Sequence, residues 1–429
     1  MWTPDLAQSV CPRQTIIIHK KMSLSENKLV IAILIAGLAG IICGWLFGPA
    51  MLAVAWLGDL FLDALKMMII PLIVGAVISG VTSLGDIRKL GKVGGVTLLY
   101  YASTTAFAVL IGLIVVNIIQ PGNGISYQVA TASEAVTEKN SVGIAELVQS
   151  LISPNIITAA SNTQLLPVII FCLLFGAALT TLGEKKSVMV KFFDGLNEVM
   201  MKLVIWIMIF APIGIFCLVA GQFGKVGGGA AIKNELMAVG SYFFTVIVGL
   251  TCHFLLLFFI LIILSKRGRK YLFKLLRALL TAFGTASSSA TLPLTMKCAL
   301  EAGVDKRSVK FVLPIGATIN MDGTALYEAV AVMFIAQAYG ITMGMGEQII
   351  IFITATLAAI GAAGIPQAGL VTMLIVLNAV NMPTEGIGLI LAVDWLLDRF
   401  RTTVNVWGDS VGAAIVEPYL PVETTQDNN

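Results

Sequence analysis

Apolar residues along this chain come in long, nearly unbroken runs, separated by short polar or charged stretches. A helix that crosses the hydrocarbon core of a bilayer needs about 20 mostly apolar residues. Eight runs meet that length, at 29–48, 57–81, 93–119, 162–182, 195–221, 236–265, 308–338 and 385–416. The polar segment 120–158 reads as a loop. Two further apolar segments, 271–303 and 347–380, do not fit the count of eight. Each has two apolar halves of about 14 residues around a small, proline-containing centre, and a half of that length rises only about 21 Å. The halves are too short to cross, so each segment reads as a re-entrant hairpin whose broken tip faces protein or a water-filled cavity. The alternative is a pair of ordinary buried helices with a kink. The pattern therefore predicts an all-α polytopic membrane protein with eight transmembrane helices and two re-entrant helical hairpins. The first hairpin enters from inside and the second from outside, an inverted pair of the kind that points to a transport site near the midplane.

Composition agrees: 58% of the 429 residues are hydrophobic and 12% charged, about half the charge of an average soluble protein. The net charge of +3 says nothing about nucleic acid. Placing the N-terminus inside puts 20 of the 27 Lys and Arg residues on the cytoplasmic side, as the positive-inside bias requires. Both termini are therefore expected in the cytoplasm, with tails at 1–28 and 417–429. Residues 1–21 lack the features of a signal peptide and read as a dispensable tail ahead of a second plausible start at Met22. The six cysteines are scattered without metal or disulfide spacing and read as small buried hydrophobes.

The last apolar run contains DWLLDRFRTTVNVWGD, residues 394–409, with three aspartates and two arginines. On a helix, Asp394, Asp398, Arg401, Thr402, Asn405 and Asp409 share one face about 100° wide. One charge at the bilayer centre costs about 3 kcal/mol on insertion scales, so five would cost about 15 without compensation. Mutual pairing alone leaves an acid in excess and no use for Thr402 and Asn405. A site for a cation and a zwitterion accounts for both. The stretch GATINMDGT, residues 316–324, adds Asn320 and Asp322 in mid-span, with Gly316 and Gly323 loosening the helix. Carboxylate, amide and carbonyl oxygens are hard ligands suited to a small cation.

At these residues the chain resembles the glutamate transporter family, the dicarboxylate/amino acid:cation symporters. NMDGT (320–324), SSSATLP (287–293), GAAGIPQAG (361–369) and DWLLDRFRTTVNVWGD carry the resemblance, which covers residues 29–417. These motifs look closer to the animal excitatory amino acid transporters than to the archaeal members. The resemblance implies a homotrimer in the cell membrane, each protomer working alone. A scaffold of residues 29–81 and 150–225 would hold the trimer. A transport domain of residues 93–119 and 230–416 would slide across the membrane as an elevator.

Carried over by motif, Asp398 would take the substrate amino group and Arg401 its side-chain carboxylate, with Asp394 orienting the arginine. Thr324 and Thr402 would assist. Asn405 and the tip at Ala286, Ser287 and Ser288 would meet the α-carboxylate, and Ile365 and Gly369 would close the gate. The implied coupling ion is Na+. One sodium site would use Asp409 with carbonyls of Gly316, Asn320 and Asn405. A second would use Thr318, Ala359, Ile360 and Ala362. A third would use Asp322 with Tyr101, Thr104, Thr105 and Asn320. Glu328, a deep carboxyl without an obvious fixed cation, would carry a coupled H+, and K+ return is a further expectation. In one departure, archaeal members place an arginine beside the hairpin serines, whereas Ala286 stands there in this chain and Arg399 appears on the last helix, as in the animal proteins.

The resemblance implies sodium-coupled uptake of L-glutamate or L-aspartate. Relatives that take neutral amino acids usually lack the arginine at 401 and the threonine at 324, and relatives that take C4-dicarboxylates lack the aspartate at 398. A rival from another class, an intramembrane protease, lacks the paired aspartate motif and a base. His253, in an apolar span, reads as a packing residue. A pure anion channel would leave the polar stripe without a use.

Overall fold

The computed structural model describes residues 12–83, 91–123, 152–162, 164–183, 187–225, 230–360 and 368–420, and within them all regular structure is helical. In chain order the helices are α1 (Pro12–Phe47), α2 (Leu52–Ser83), α3 (Gly91–Ile119), α4 (Ile156–Ser161), α5 (Leu165–Thr180), α6 (Ser187–Ile209), α7 (Ala211–Lys225) and α8 (Ala230–Ser265). They continue with α9 (Arg269–Thr285), α10 (Ser288–Glu301), α11 (Lys306–Ile319), α12 (Asp322–Ala338), α13 (Met345–Ile360), α14 (Ala368–Ala379) and α15 (Ile387–Val416).

Several of the expected spans differ in detail. Residues 12–28, read as part of the N-terminal tail, belong to α1. The run expected at 195–221 is not straight: α6 and α7 meet at 58°. Pro212 explains the bend, because it supplies no amide hydrogen and starts a new helix readily in its first turn. The run expected at 162–182 yields only the 16 residues of α5, about 24 Å of rise. Asn155 caps the short α4 ahead of it, its Oδ1 accepting the amides of Ile157 at 2.9 Å and Thr158 at 3.2 Å. The span 308–338 breaks at Asn320 and Met321 into α11 and α12. At the start of α11, hydrogen bonds from the side chain and amide of Arg307 hold the exposed Asp305 carboxyl below its usual pKa. Among the cysteines, Cys252 is exposed rather than buried.

Both hairpins form as antiparallel pairs, α9 with α10 and α13 with α14. The base of the first is tied across its arms: Lys274 Nζ donates to the Glu301 carbonyl at 2.5 Å, and Arg267 donates to the carbonyls of Ala302 and Gly303 at 2.9 Å each. Ala286 ends α9 in the left-handed region at φ +50°, which turns the chain back on itself and excludes a kinked continuous helix.

α12 lies at the centre. Every residue from Asp322 to Ala336 is buried, and the helix packs against α3, α8, α13, α14 and α15. α15 in turn packs against α8, α9 and α11. Its carbonyls are held from three sides: Tyr100 Oη donates to Gly408 O at 3.0 Å, Tyr271 Oη to Ser410 O at 2.6 Å, and Ser308 Oγ to Ala413 O at 2.6 Å. Trp407 stacks on Phe254 at 5.1 Å between ring centroids. Elsewhere α7 lies against α1 and α2, and α2 against α5 and α6. Gly40 and Gly44, one turn apart, let α1 approach α7 closely: a Cβ on Gly44 would stand 2.7 Å from the Phe223 Cβ. Small residues at this spacing are how helices pack tightly in lipid. Ile31, Ile35, Leu38 and Ile42 of α1 face outward, a surface suited to acyl chains.

Candidate functional site

The polar stripe of α15 points into the protein, with Asp394, Asp398, Arg401, Thr402, Asn405 and Asp409 all buried. Arg401 is 0% exposed. Its Nη2 donates to Asp398 Oδ1 at 2.8 Å and lies 3.3 Å from Asp394 Oδ1. Its guanidinium carbon sits 3.8 Å from the centroid of the Tyr327 ring. Nε and Nη1 are buried without an acceptor. Each such donor costs about 1–3 kcal/mol, and an incoming carboxylate at Nη1 would satisfy one of them. Gly369 of the second hairpin leaves the room: a Cβ there would stand 2.5 Å from Arg401 Nη1.

The other stripe residues are engaged locally. Thr402 Oγ1 donates to the Asp398 carbonyl at 2.8 Å. Asn405 Oδ1 accepts the Gly323 amide at 2.7 Å, and its Nδ2 reaches Thr324 Oγ1 at 3.4 Å. The start of α12 is thereby fixed to α15, and Gly323 permits it: a Cβ there would lie 2.6 Å from the Arg401 carbonyl oxygen. At the first hairpin tip, Ser287 caps α10, its Oγ accepting the Ala290 amide at 3.2 Å, and Ser288 is buried beside it. Arg399 Nη1 donates to the carbonyls of Phe283 at 2.9 Å and Gly284 at 2.7 Å, in the last turn of α9 where a helix leaves carbonyls unpaired and favours a cation. Arg399 of α15 thus sets a guanidinium at the end of α9, a few residues before the serine tip. Ile365 and Ala362 lie outside the described residues.

One helix turn further along α15 is an oxygen-rich cluster. Asn320 Nδ2 donates to Asp409 Oδ1 at 3.0 Å. Gly316 faces the same carboxylate, and a Cβ there would stand 2.5 Å from Tyr101 Oη. Thr105 Oγ1 donates to Asp322 Oδ1 at 2.7 Å, and Thr104 Oγ1 lies 3.4 Å from both Asp322 Oδ1 and Asn320 Oδ1. Tyr101 turns its hydroxyl to the Val312 carbonyl at 2.8 Å. The Gly316 carbonyl accepts the Asn320 amide at 2.9 Å, so it still belongs to the ladder of α11. Two buried carboxylates among neutral oxygens suit a hard monovalent or divalent cation. Thr318 is exposed near the end of α11. Ala359 and Ile360 form the last turn of α13, which adjoins α11 and whose carbonyls point out of the helix end.

Two placements depart from the sequence reading. Glu328 is 0% exposed and its carboxyl oxygens make no hydrogen bond of normal geometry. Thr372 reaches its carboxyl, and the charge of Arg401 acts on it electrostatically. His253 is more than packing: its Nε2 lies 2.9 Å from Asp322 Oδ2. A lone histidine in a lipid-length run, in a chain with a mid-span aspartate, was the available signal.

A family model described as the sodium:dicarboxylate symporter family matches residues 29–418. The chain is similar to an excitatory amino acid transporter of Caenorhabditis elegans, 38% identical over 94% of this chain and 90% of that protein. It is also similar to excitatory amino acid transporter 2 of Mus musculus, 38% identical over 92% and 79% of the two chains. Excitatory amino acid transporter 1 of Ambystoma tigrinum is 40% identical over 84% and 76%.

Proposed function

This chain belongs to the sodium:dicarboxylate symporter family, and from that premise we infer that it is a sodium-coupled symporter that takes up the acidic amino acids glutamate and aspartate. It is a multi-pass membrane transporter and not an enzyme. The observation that carries the substrate assignment is Arg401, buried with two donors open beside Asp398. An acidic amino acid presents a carboxylate to the first and an ammonium to the second, so binding exchanges the Arg401–Asp398 pair for two pairs with substrate. A neutral amino acid would leave the guanidinium donors unpaired, and a C4-dicarboxylate would leave Asp398 without its ammonium. Asn405 and the serine tip are assigned to the α-carboxylate. In competition for uptake of labelled glutamate, aspartate should compete strongly, and alanine and succinate at least about a hundredfold less, since a site built for a charged group rejects analogues lacking it. Equal competition by alanine would contradict the assignment.

Sodium is assigned to the clusters at Asp409 and Asp322 and to the junction of Thr318 with Ala359 and Ile360. The packing supports an elevator: α1, α2 and α4–α7 would form the scaffold of a homotrimer, and α3 with α8–α15 the moving transport domain, the second hairpin serving as gate. The lysine and arginine bias supports cytoplasmic ends in the cell membrane.

Glu328 is assigned the coupled proton, with potassium returning once it is released. The carboxyl is buried without a hydrogen bond of normal geometry, and the charge of Arg401, which acts on it, would link it to substrate occupancy. Wild-type glutamate uptake in vesicles should be accelerated by an inward-directed proton gradient, and Glu328→Gln should lose that response. Equal responses would remove Glu328 from the role.

A further inference from the structure

Asp322 divides its carboxyl oxygens between two helices. Oδ1 faces α3, where Thr105 Oγ1 donates to it at 2.7 Å and Thr104 Oγ1 lies at 3.4 Å. Oδ2 faces α8, 2.9 Å from His253 Nε2. Both side chains are 0% exposed. The other ring nitrogen, Nδ1, is buried with no partner. A carboxylate only accepts and a neutral imidazole has one N–H, so the contact puts that hydrogen on Nε2. A second hydrogen on Nδ1 would be buried without an acceptor.

We infer that His253 is a positioning residue for sodium, holding Asp322 Oδ2 so that Oδ1 stays aimed at Thr104, Thr105 and Asn320. This rests on the reading of Asp322 as a sodium ligand. The need for such a hold follows from the chemistry. A hydroxyl has one hydrogen and two lone pairs, so an arriving ion would draw the lone pairs of the threonines and loosen their hydrogen bonds to Oδ1. Oδ2 then retains the Nε2 bond as its fixed anchor. The terminal torsion of an aspartate is soft, and on the far side Gly408 packs closely, a Cβ there standing a tight 3.2 Å from Oδ2, but has no side chain to hydrogen-bond it. Ligands elsewhere are oriented by hydrogen-bonded partners in this way, and loss of the partner typically costs about 10–100-fold in metal affinity.

The test is the sodium dependence of glutamate uptake by full-length protein in proteoliposomes. His253→Leu should raise the half-saturating sodium concentration about tenfold and leave half-saturation by glutamate nearly unchanged once sodium is saturating. His253→Gln, whose amide nitrogen reaches the position of Nε2, should restore most of the sodium affinity, whereas His253→Asn, too short to reach Oδ2, should not. In an Asp322→Asn background His253→Leu should add little. The proposal is overturned if His253→Leu leaves sodium dependence unchanged, or if Gln is as impaired as Asn. Should His253→Leu not reach the membrane, the Gln and Asn pair decides alone. Asp322→Asn tests the underlying reading separately: an unchanged sodium dependence there removes Asp322 as a ligand, whereas a shift there with none in His253→Leu removes only His253.

Discussion

Arg401→Cys should abolish sodium-driven uptake of glutamate and aspartate. Arg401 lies in a fully buried position between Asp394 and Asp398 and beneath Gly369. Cysteine removes the whole guanidinium, including the open Nη1 donor that a substrate carboxylate would occupy. Breaking a buried charge pair by removing one partner costs about 3–5 kcal/mol, which is a loss of at least about a hundredfold in apparent affinity at 1.4 kcal/mol per decade. Arg401→Lys should recover little, because an ammonium cannot reproduce the planar fork. The check is labelled glutamate uptake normalised to surface protein, with a neutral amino acid run alongside. Wild-type affinity for glutamate in Arg401→Cys would end the assignment of acidic amino acids.

Asp409→Asn should shift the sodium requirement rather than the substrate requirement. Asp409 is buried, and its hydrogen bond from Asn320 leaves oxygen lone pairs free to face Gly316 and Tyr101. A unit charge about 4 Å away is worth about 4 kcal/mol at an effective dielectric of 20. Allowing about half of that for the amide oxygen that remains and for relaxation leaves about 2 kcal/mol, or roughly 30-fold in half-saturating sodium. Uptake measured over a sodium series should show the shift, with glutamate half-saturation recovering at high sodium. An unshifted sodium curve would place the ion elsewhere.

Much of this arrangement was legible in the sequence because lipid makes some patterns expensive. Six polar residues on one arc of a helix have no place in hydrocarbon, so the inward face of α15 followed from spacing alone. Halves of about 14 residues cannot cross a bilayer, so the hairpins followed from length. The break at Asn320 and Met321 followed from Asn, Asp and Gly clustered in mid-span. Other features depended on contacts between distant segments. His253 and Asp322 are 69 positions apart, and no periodicity within either helix aligns them. The reach of Arg399 to the carbonyls of Phe283 and Gly284 spans more than a hundred positions. The packing of Arg401 over the Tyr327 ring arises where α12 and α15 meet, and a helical wheel of one helix cannot show it. The bend between α6 and α7 was encoded locally by Pro212 and was hidden by the continuous apolar character around it.

The most direct measurement is uptake of labelled L-glutamate into proteoliposomes that contain the purified protein, with an inward gradient of sodium chloride or of choline chloride. Sodium-driven acidic amino acid symport predicts accumulation above equilibrium in sodium, near-background uptake in choline, and collapse of the accumulated label when the sodium gradient is dissipated. Equal uptake in choline, or no concentrative uptake of glutamate or aspartate in sodium, would contradict it.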